Sequence, residues 1–246
     1  MNTSVEHVRH LEEKNKGLKE TVRQLLKDSE PAMKNKEIYI IGGGSSLKGF
    51  DFNQLKDLDT IAVNMAALDV PDPTYCITGD SNIFRKLQEG FFESVETTWV
   101  VTIDTNHPVM KFKDGRIEHI HSNFVYNPFC VNMLIPYKRC DGIGFSFKDF
   151  RSGFNSGFCA FQLAVLLGYK KIHLLGFDMR KNEQTTHYHN WYKGKSTISK
   201  TAFVKFYDNF VLALQIIKEK TDVKVVSCSK ISRLNKHIPY CPLESI

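Results

Sequence analysis

Short, strongly apolar segments alternate with helical patterns along most of this 246-residue chain. The first segment, residues 37–41, reads E-I-Y-I-I and runs directly into three glycines and two serines. A continuous apolar run of this length is typical of a strand that is buried on both faces of a sheet. The chain is therefore expected to build its core around such a sheet.

The remaining elements extend this pattern. Strands are predicted at 60–64, 74–78, 97–103, 171–176 and 223–227, a hairpin at 110–121, and helices at 82–90, 156–167 and 201–220. Residues 122–154 show no clear period and are expected to be irregular. The alternation predicts an α/β fold with a Rossmann-like, mostly parallel sheet and helices on both faces. Ligands of such sheets bind at the carboxyl ends of the strands.

A separate N-terminal unit, residues 1–35, precedes this domain. Apolar residues and one asparagine recur in steps of three and four through residues 5–28, at Val8, Leu11, Asn15, Leu18, Val22 and Leu25. This seam predicts a coiled-coil-like helix that pairs the chain into a homo-oligomer. A helix that packs on its own domain is the alternative.

Composition indicates where the protein is expected to lie, the state of its cysteines and the charge of its partner. Residues 1–30 are too charged for a signal peptide, and no apolar run reaches the ~18 residues of a membrane helix, so a cytoplasmic protein is expected. The six cysteines form no C-x-x-C pair, which is typical of reduced thiols. Residues 166–246 carry fourteen Lys and Arg against six Asp and Glu, which indicates an anionic partner or a solvated basic surface.

The glycine-rich stretch that follows the first strand is the first candidate site. Its residues are Gly42, Gly43, Gly44, Ser45 and Ser46. Glycines let the backbone approach a phosphate, which exposed amides and hydroxyls can then bind. The stretch lacks both the G-x-G-x-x-G spacing of dinucleotide sites and the Lys-Ser/Thr of a P-loop. A ligand loop of another kind is predicted, with a plain tight turn as the alternative.

Two further candidates follow later strands. Asn64 and Asp80 end the second and third strands, where each could bind a base or ribose, or cap a turn or helix. Asn155, Ser156 and Gly157 open the apolar helix, where free amides could bind an anion, or Asn155 or Ser156 could form a simple cap.

The densest polar cluster follows the strand at 171–176. It contains Asp178 and Arg180, and then His187, Tyr188 and Tyr192. His187 could accept a proton from an attacking hydroxyl, while Arg180 or a tyrosine stabilises a leaving phosphate. His187 and His189 lack further ligands at suitable spacing, so no metal site is expected.

Together these motifs resemble a known superfamily over roughly residues 36–246. The similar segments, in chain order, are G-G-G-S-S-L, Val63-Asn64, Ser156-Gly157, L-G-Y-K-K-I-H-L-L-G-F-D, His187-Tyr188, and the set Cys228, Ser232 and Leu234. They resemble the Campylobacter-type bacterial sialyltransferases and, equally, the archaeal 6-hydroxymethylpterin pyrophosphokinases. Phage-encoded proteins called glycosyltransferases are most similar in length.

The resemblance implies a nucleotide-binding transferase domain at residues 36–246. It implies a CMP-sugar that lies over the strand ends without a metal, and His187 as the general base. The implied nucleotide contacts are Gly43, Gly44, Ser46, Asn64, Ser156, Gly157 and Asp178. Three positions depart from the sialyltransferase pattern: Gly43 replaces an Asn, Arg180 replaces a Tyr, and Asp80 is more usual in the pterin branch.

The leading hypothesis is thus a glycosyltransferase that moves a sugar from a nucleotide-activated donor to an acceptor hydroxyl. The acceptor would be a glycan or, in a phage setting, a hydroxymethylated DNA base. One alternative is a pyrophosphokinase that uses ATP and Mg²⁺, for which Asp80 and Asp178 are the candidate ligands. Another is a non-catalytic nucleotide- or glycan-binding module. No other cofactor is expected.

Overall fold

A computed structural model describes residues 36–104, 110–113, 116–119, 124–125, 133–180, 187–191 and 199–243. The predicted coiled-coil helix at 5–28 lies outside the described residues, and so does Tyr192. The oligomer that this helix would form stays a prediction.

Ten strands are described. They are β1 Glu37–Ile41, β2 Thr60–Val63, β3 Tyr75–Thr78, β4 Thr98–Asp104, β5 Met110–Lys113, β6 Arg116–His119, β7 Phe124–Val125, β8 Met133–Tyr137, β9 Lys171–Leu175 and β10 Lys224–Ser227. Seven of them form one sheet in the order β10-β9-β1-β2-β3-β4-β8. Every pairing within that sheet is parallel. The α/β prediction is confirmed.

A small antiparallel sheet, β5-β6-β7, is inserted between β4 and β8. Its first two strands confirm the predicted hairpin, with Met110 paired to His119. The prediction of irregular structure at 122–154 was wrong for β7 and β8. A proline within an apolar run argues against a strand, because proline cannot donate a hydrogen bond to a neighbouring strand, so Pro136 made β8 hard to predict. β8 lies at an edge of the sheet, where proline is tolerated.

In the part of the chain that the structure describes, three α-helices accompany the main sheet: α1 Ser81–Gln88, α2 Ser156–Leu166 and α3 Lys200–Lys220. Each begins at a residue whose side chain accepts a hydrogen bond from the first turn, namely Asp80, Asn155 and Ser199. Helix α2 ends at Gly168, which adopts a left-handed φ of +87°. Within the described ranges, no helix is both long and apolar enough to cross a bilayer.

Each face of the sheet carries its own core. On one face Phe158 and Phe161 of α2 and Phe210 of α3 pack against the apolar strand residues. On the other face Met65, Trp99 and the buried residues of α1 pack together with residues of short 3₁₀ turns. Both faces are therefore covered, which explains why the strands are apolar throughout.

The order of the strands creates a switch point between β1 and β9. From β1 the chain moves outward through β2, β3 and β4, and after β8 it returns to the other side of β1 as β9. Ile41, the last residue of β1, is paired with Leu175, the last residue of β9. Loops that leave these two strands diverge from a common point, which is where open α/β sheets form a ligand crevice.

Candidate functional site

Residues 42–46, called here the glycine bend, follow β1 at this switch point. The Gly42 amide donates to the Leu175 carbonyl at 2.8 Å, and the Gly44 amide donates to the Gly176 carbonyl at 2.9 Å. A Cβ added to Gly44 would contact the Gly176 oxygen and lie 2.8 Å from the Asp178 carboxyl carbon. Glycine is required there because the bend lies directly against the loop that leaves β9.

Asp178 fixes the serine end of the bend. Its carboxylate accepts four hydrogen bonds: from the Ser45 hydroxyl at 3.2 Å, the Ser46 amide at 2.9 Å, the Ser46 hydroxyl at 2.5 Å and the Ser229 hydroxyl at 2.8 Å. Only 3% of Asp178 is exposed. In this arrangement, called here the Asp178 clasp, both carboxylate oxygens accept hydrogen bonds from the protein's own loops.

His187 lies against the middle of the bend. A Cβ added to Gly43 would be 2.7 Å from Cδ2 of His187, and the Tyr188 amide donates to the Gly43 carbonyl at 3.1 Å. Burial lowers the pKa of His187 below its ordinary value of 6.5. The imidazole is therefore neutral near pH 7 and can accept a proton, as a general base must.

The neighbours of His187 hold the segment 187–191 in place. The Tyr188 hydroxyl donates to Asp69 at 2.7 Å, and its ring packs against Phe52 at 5.3 Å between centroids. The phenol that the sequence assigned to catalysis is thus bonded to a carboxylate. The ring of His189 lies 5.3 Å from that of His187, and burial, with His187 nearby, lowers the pKa of His189 to about 4.

The start of α2 reaches the same edge of the sheet. The Ser156 hydroxyl accepts from the Gly79 amide at 3.0 Å, at the end of β3. Added Cβ atoms at Gly157 and Gly42 would lie 3.0 Å and 3.2 Å from the Phe177 ring. The ring of Phe177 thus separates the helix start from the bend. Asn155 caps the helix by accepting from the Phe158 amide at 2.8 Å.

The other two predicted residues lie at neighbouring strand ends. Asn64 follows β2 with a left-handed φ of 56°, and its side-chain oxygen accepts from the Thr78 hydroxyl at 2.8 Å. Asp80 follows β3, and its carboxylate accepts from the Asn82 amide at 2.8 Å, as a helix cap does. Arg180 is exposed at the surface, two residues beyond the clasp.

Three of the five described non-glycine residues with a left-handed φ lie at this edge of the sheet; the other two, Asp57 and Asp72, precede β2 and β3. Asn64, Phe154 and Met179 adopt left-handed φ angles of 56°, 64° and 52°. Such angles are uncommon for residues with side chains, and where they occur they cluster at ligand sites. These three residues lie in the loops after β2, before α2 and after β9, which are the loops that carry the predicted site.

Sequence reasoning missed three residues that shape the site. Ser229 donates to Asp178, Asp69 binds Tyr188, and Phe177 fills the space between the bend and α2. Ser229 lies next to Cys228, within the stretch that carried the resemblance, so the sequence pointed to this stretch but not to the bond between Ser229 and Asp178. Within the described ranges, no group of three or more His, Cys, Asp or Glu side chains is arranged to hold a metal ion.

Comparison with known proteins gives similarity at the level of structure. No protein-family model and no curated protein sequence matches the chain. A structure of a point variant of the sialyltransferase Cst-II in complex with CMP aligns with 20% identity and a TM-score of 0.49, covering 86% of this chain and 88% of that one. A structure of CstII from Campylobacter jejuni with the substrate analogue CMP-3FNeuAc aligns with 16% identity and a TM-score of 0.48, covering 84% and 86%.

Proposed function

We propose that this protein is a glycosyltransferase that moves a sugar from a nucleotide-activated donor to an acceptor hydroxyl. The observation that carries the proposal is the contact between His187 and Gly43 within a glycine bend at the β1–β9 switch point. A neutral imidazole lies there against the glycine backbone of the bend. CMP is the first candidate nucleotide, because the ordered sequence motifs resemble the CMP-sugar-dependent sialyltransferases.

The donor would lie across the carboxyl ends of β1, β2 and β9. Its phosphate would lie on the bend at Gly43 and near the start of α2, where Ser156 and Gly157 supply helix N-terminal amides. Ser46 donates its amide and its hydroxyl to Asp178, so in this proposal it shapes the bend rather than bonds the phosphate. Asn64 would bind the base or ribose with its amide group. Arg180 would balance the charge on the leaving phosphate. In this proposal Asp178 shapes the bend through its clasp.

The reaction needs one proton acceptor and one leaving group. The acceptor oxygen attacks the anomeric carbon of the sugar, and the bond between that carbon and the phosphate oxygen breaks. The nucleotide departs with the bonding electron pair, while His187 takes the proton of the acceptor hydroxyl. The lowered pKa of His187 keeps the ring ready to accept that proton near neutral pH.

The pyrophosphokinase alternative is less well supported by the geometry. That chemistry would use acidic residues as ligands for Mg²⁺ beside the phosphates. Asp178 already accepts four hydrogen bonds from the chain, and Asp80 caps α1. Both candidate ligands therefore have structural roles. Activity that is abolished by a chelator would nevertheless favour the kinase.

A thermal-shift screen with CMP, UDP, GDP and ATP identifies the nucleotide. A ligand at about 100 times its Kd stabilises the native state by about 2.7 kcal/mol, which raises the Tm of a chain of this length by roughly 5–10 °C. We expect the largest rise with CMP. No rise with any of the four would contradict a nucleotide site.

His187→Ala separates an enzyme from a binding module. Removal of a general base is expected to lower turnover of the donor by about 10²–10⁴-fold, while the nucleotide-induced rise in Tm remains. The matched control is His237→Ala, which removes a ring bonded to the Tyr207 hydroxyl at 2.8 Å on α3. Wild-type turnover in His187→Ala would refute the assignment of the base. Binding without turnover of any donor would favour the module.

A further inference from the structure

Two large aromatic side chains are exposed beside the segment that carries His187. Trp191 is 47% exposed and Phe91 is 40% exposed. Their rings meet edge to face, with 6.0 Å between centroids and 88° between planes. The Lys86 ammonium lies 4.2 Å above the Phe91 ring. These three residues are called here the aromatic platform.

The end of α1 fixes Phe91 in this position. Gly90 adopts a left-handed φ of 79°, the Phe91 amide donates to the Lys86 carbonyl at 2.9 Å, and the Gly90 amide donates to the Leu87 carbonyl at 3.3 Å. This pair of bonds is the Schellman arrangement that ends helices at glycine. The next residue, Phe92, is buried against Trp99 at 5.0 Å between ring centroids. Phe91 is therefore held at the surface by backbone geometry and by the burial of its neighbour.

Trp191 lies at the other end of the segment 187–191 from His187, the proposed base. It lies four residues after His187, which spans about 14 Å at most. His187 and Tyr188 are attached to the glycine bend through Gly43. A saccharide bound at the platform is therefore within about 14 Å, along the chain, of the proposed base.

The chemistry of the platform suits a saccharide. One face of a pyranose ring presents C–H groups, which are attracted to the negative face of an aromatic ring, and its hydroxyls remain free to bond at the edges. Lys86 adds a donor and a positive charge for a hydroxyl or a carboxylate. At less than half exposure the two rings offer roughly 200 Å² of surface, far below the roughly 800 Å² per partner of a stable protein interface.

We propose that Phe91, Trp191 and Lys86 form the acceptor subsite, which binds an oligosaccharide whose terminal hydroxyl reaches His187. The inference rests on the proposed glycosyltransferase function and adds the class of acceptor and the residues that select it. The platform is preformed, so binding it costs little ordering of the protein.

The two tryptophans of the chain allow a direct test. Trp99 is 4% exposed, so acrylamide quenching of the fluorescence reports mainly on Trp191. Oligosaccharides selected from a printed glycan array are expected to protect the emission from acrylamide, and Trp191→Phe is expected to remove the protected component. Emission from the wild type that stays equally quenched with every selected saccharide would overturn the proposal.

Variants on the glycan array complete the test. Trp191→Ala and Phe91→Ala should lower retention of oligosaccharides at least tenfold, while Trp191→Phe retains part of the binding. Phe145→Ala is the matched control, since it removes a phenyl that is 43% exposed elsewhere. Melting temperatures within a few degrees of the wild type show that the variants fold. A wild type that retains no glycan, or that retains a DNA oligonucleotide in its place, would overturn the proposal.

Kinetics separate this inference from the proposed function. Trp191→Ala should raise the KM for the oligosaccharide at least tenfold and leave the KM for the donor and its slow hydrolysis by water unchanged. An unchanged acceptor KM would overturn the subsite while the transferase stands. Glycan retention that depends on Trp191, in a protein that turns over no donor, would leave the platform intact and contradict the transferase.

Discussion

The two ends of the glycine bend are held in different ways. At Ser45 and Ser46, hydroxyl and amide donors all point to the Asp178 carboxylate, which is buried and also accepts from Ser229. At Gly43, the bend is covered by the half-buried ring of His187. One end is bound by the interior of the protein, and the other faces a group that can exchange a proton.

This difference indicates how one short loop can combine rigidity with chemistry. The clasp fixes the course of the bend, so that little ordering of the protein is needed when a ligand binds beside it. The Gly43 end leaves room for an imidazole because glycine has no Cβ. Changes at the clasp should therefore affect stability first, and changes at His187 should affect turnover first.

Asp178→Ala should give the largest loss of stability. It leaves three hydroxyls and the Ser46 amide without their acceptor, and unmet buried donors cost about 1–3 kcal/mol each with incomplete additivity. A loss of about 3–4 kcal/mol is expected, which lowers the Tm by roughly 6–15 °C. Urea or thermal unfolding measures this loss.

The matched control for the clasp is Asp222→Ala. Asp222 forms an exposed ion pair with Lys170 at 2.8 Å, so its removal should leave the Tm nearly unchanged. Equal Tm values for the two alanine variants would show that the clasp contributes no more than a surface pair, and the contrast between the two ends of the bend would disappear.

The pH dependence of turnover tests the His187 end. A protonated imidazole cannot accept a proton, so the rate falls as the pH drops through the pKa of His187 in the folded protein. Because burial lowers that pKa, the acidic limb of kcat/KM should be centred below pH 6.5, and below that midpoint the rate should decline about tenfold per pH unit. An acidic limb centred above pH 6.5 would be incompatible with His187 as a buried base.

Ser229→Ala should give the smallest effect. It removes one of the four hydrogen bonds to Asp178, and such a bond is worth about 1.5–3 kcal/mol when the acceptor is charged. The Tm should fall by roughly 3–12 °C. Ser229→Thr, which keeps the hydroxyl, should recover part of that loss if the bond itself is responsible. A Tm for Ser229→Ala equal to the wild-type value would show that only the bend serines contribute to the stability of the clasp.

Local patterns predicted most of the main sheet and singled out three of the four clasp residues, Ser45, Ser46 and Asp178, but not the bonds among them. The strands at residues 37–41 and 171–175 were predicted within one residue because both are apolar runs that end at glycine. The partners of Asp178 and Tyr188 were not predicted, since Ser229 and Asp69 are 51 and 119 residues away in sequence. Such pairs depend on the strand order, which no single segment encodes.

The location of a bound nucleotide tests the central claim most directly. A crystal structure should be determined with whichever of CMP, UDP, GDP and ATP raises the Tm most. The account predicts phosphate oxygens within hydrogen-bonding distance of the glycine bend, on the side that faces His187. A nucleotide bound elsewhere, such as in the cavity of about 460 Å³ between α3 and residues 236–238, would contradict it.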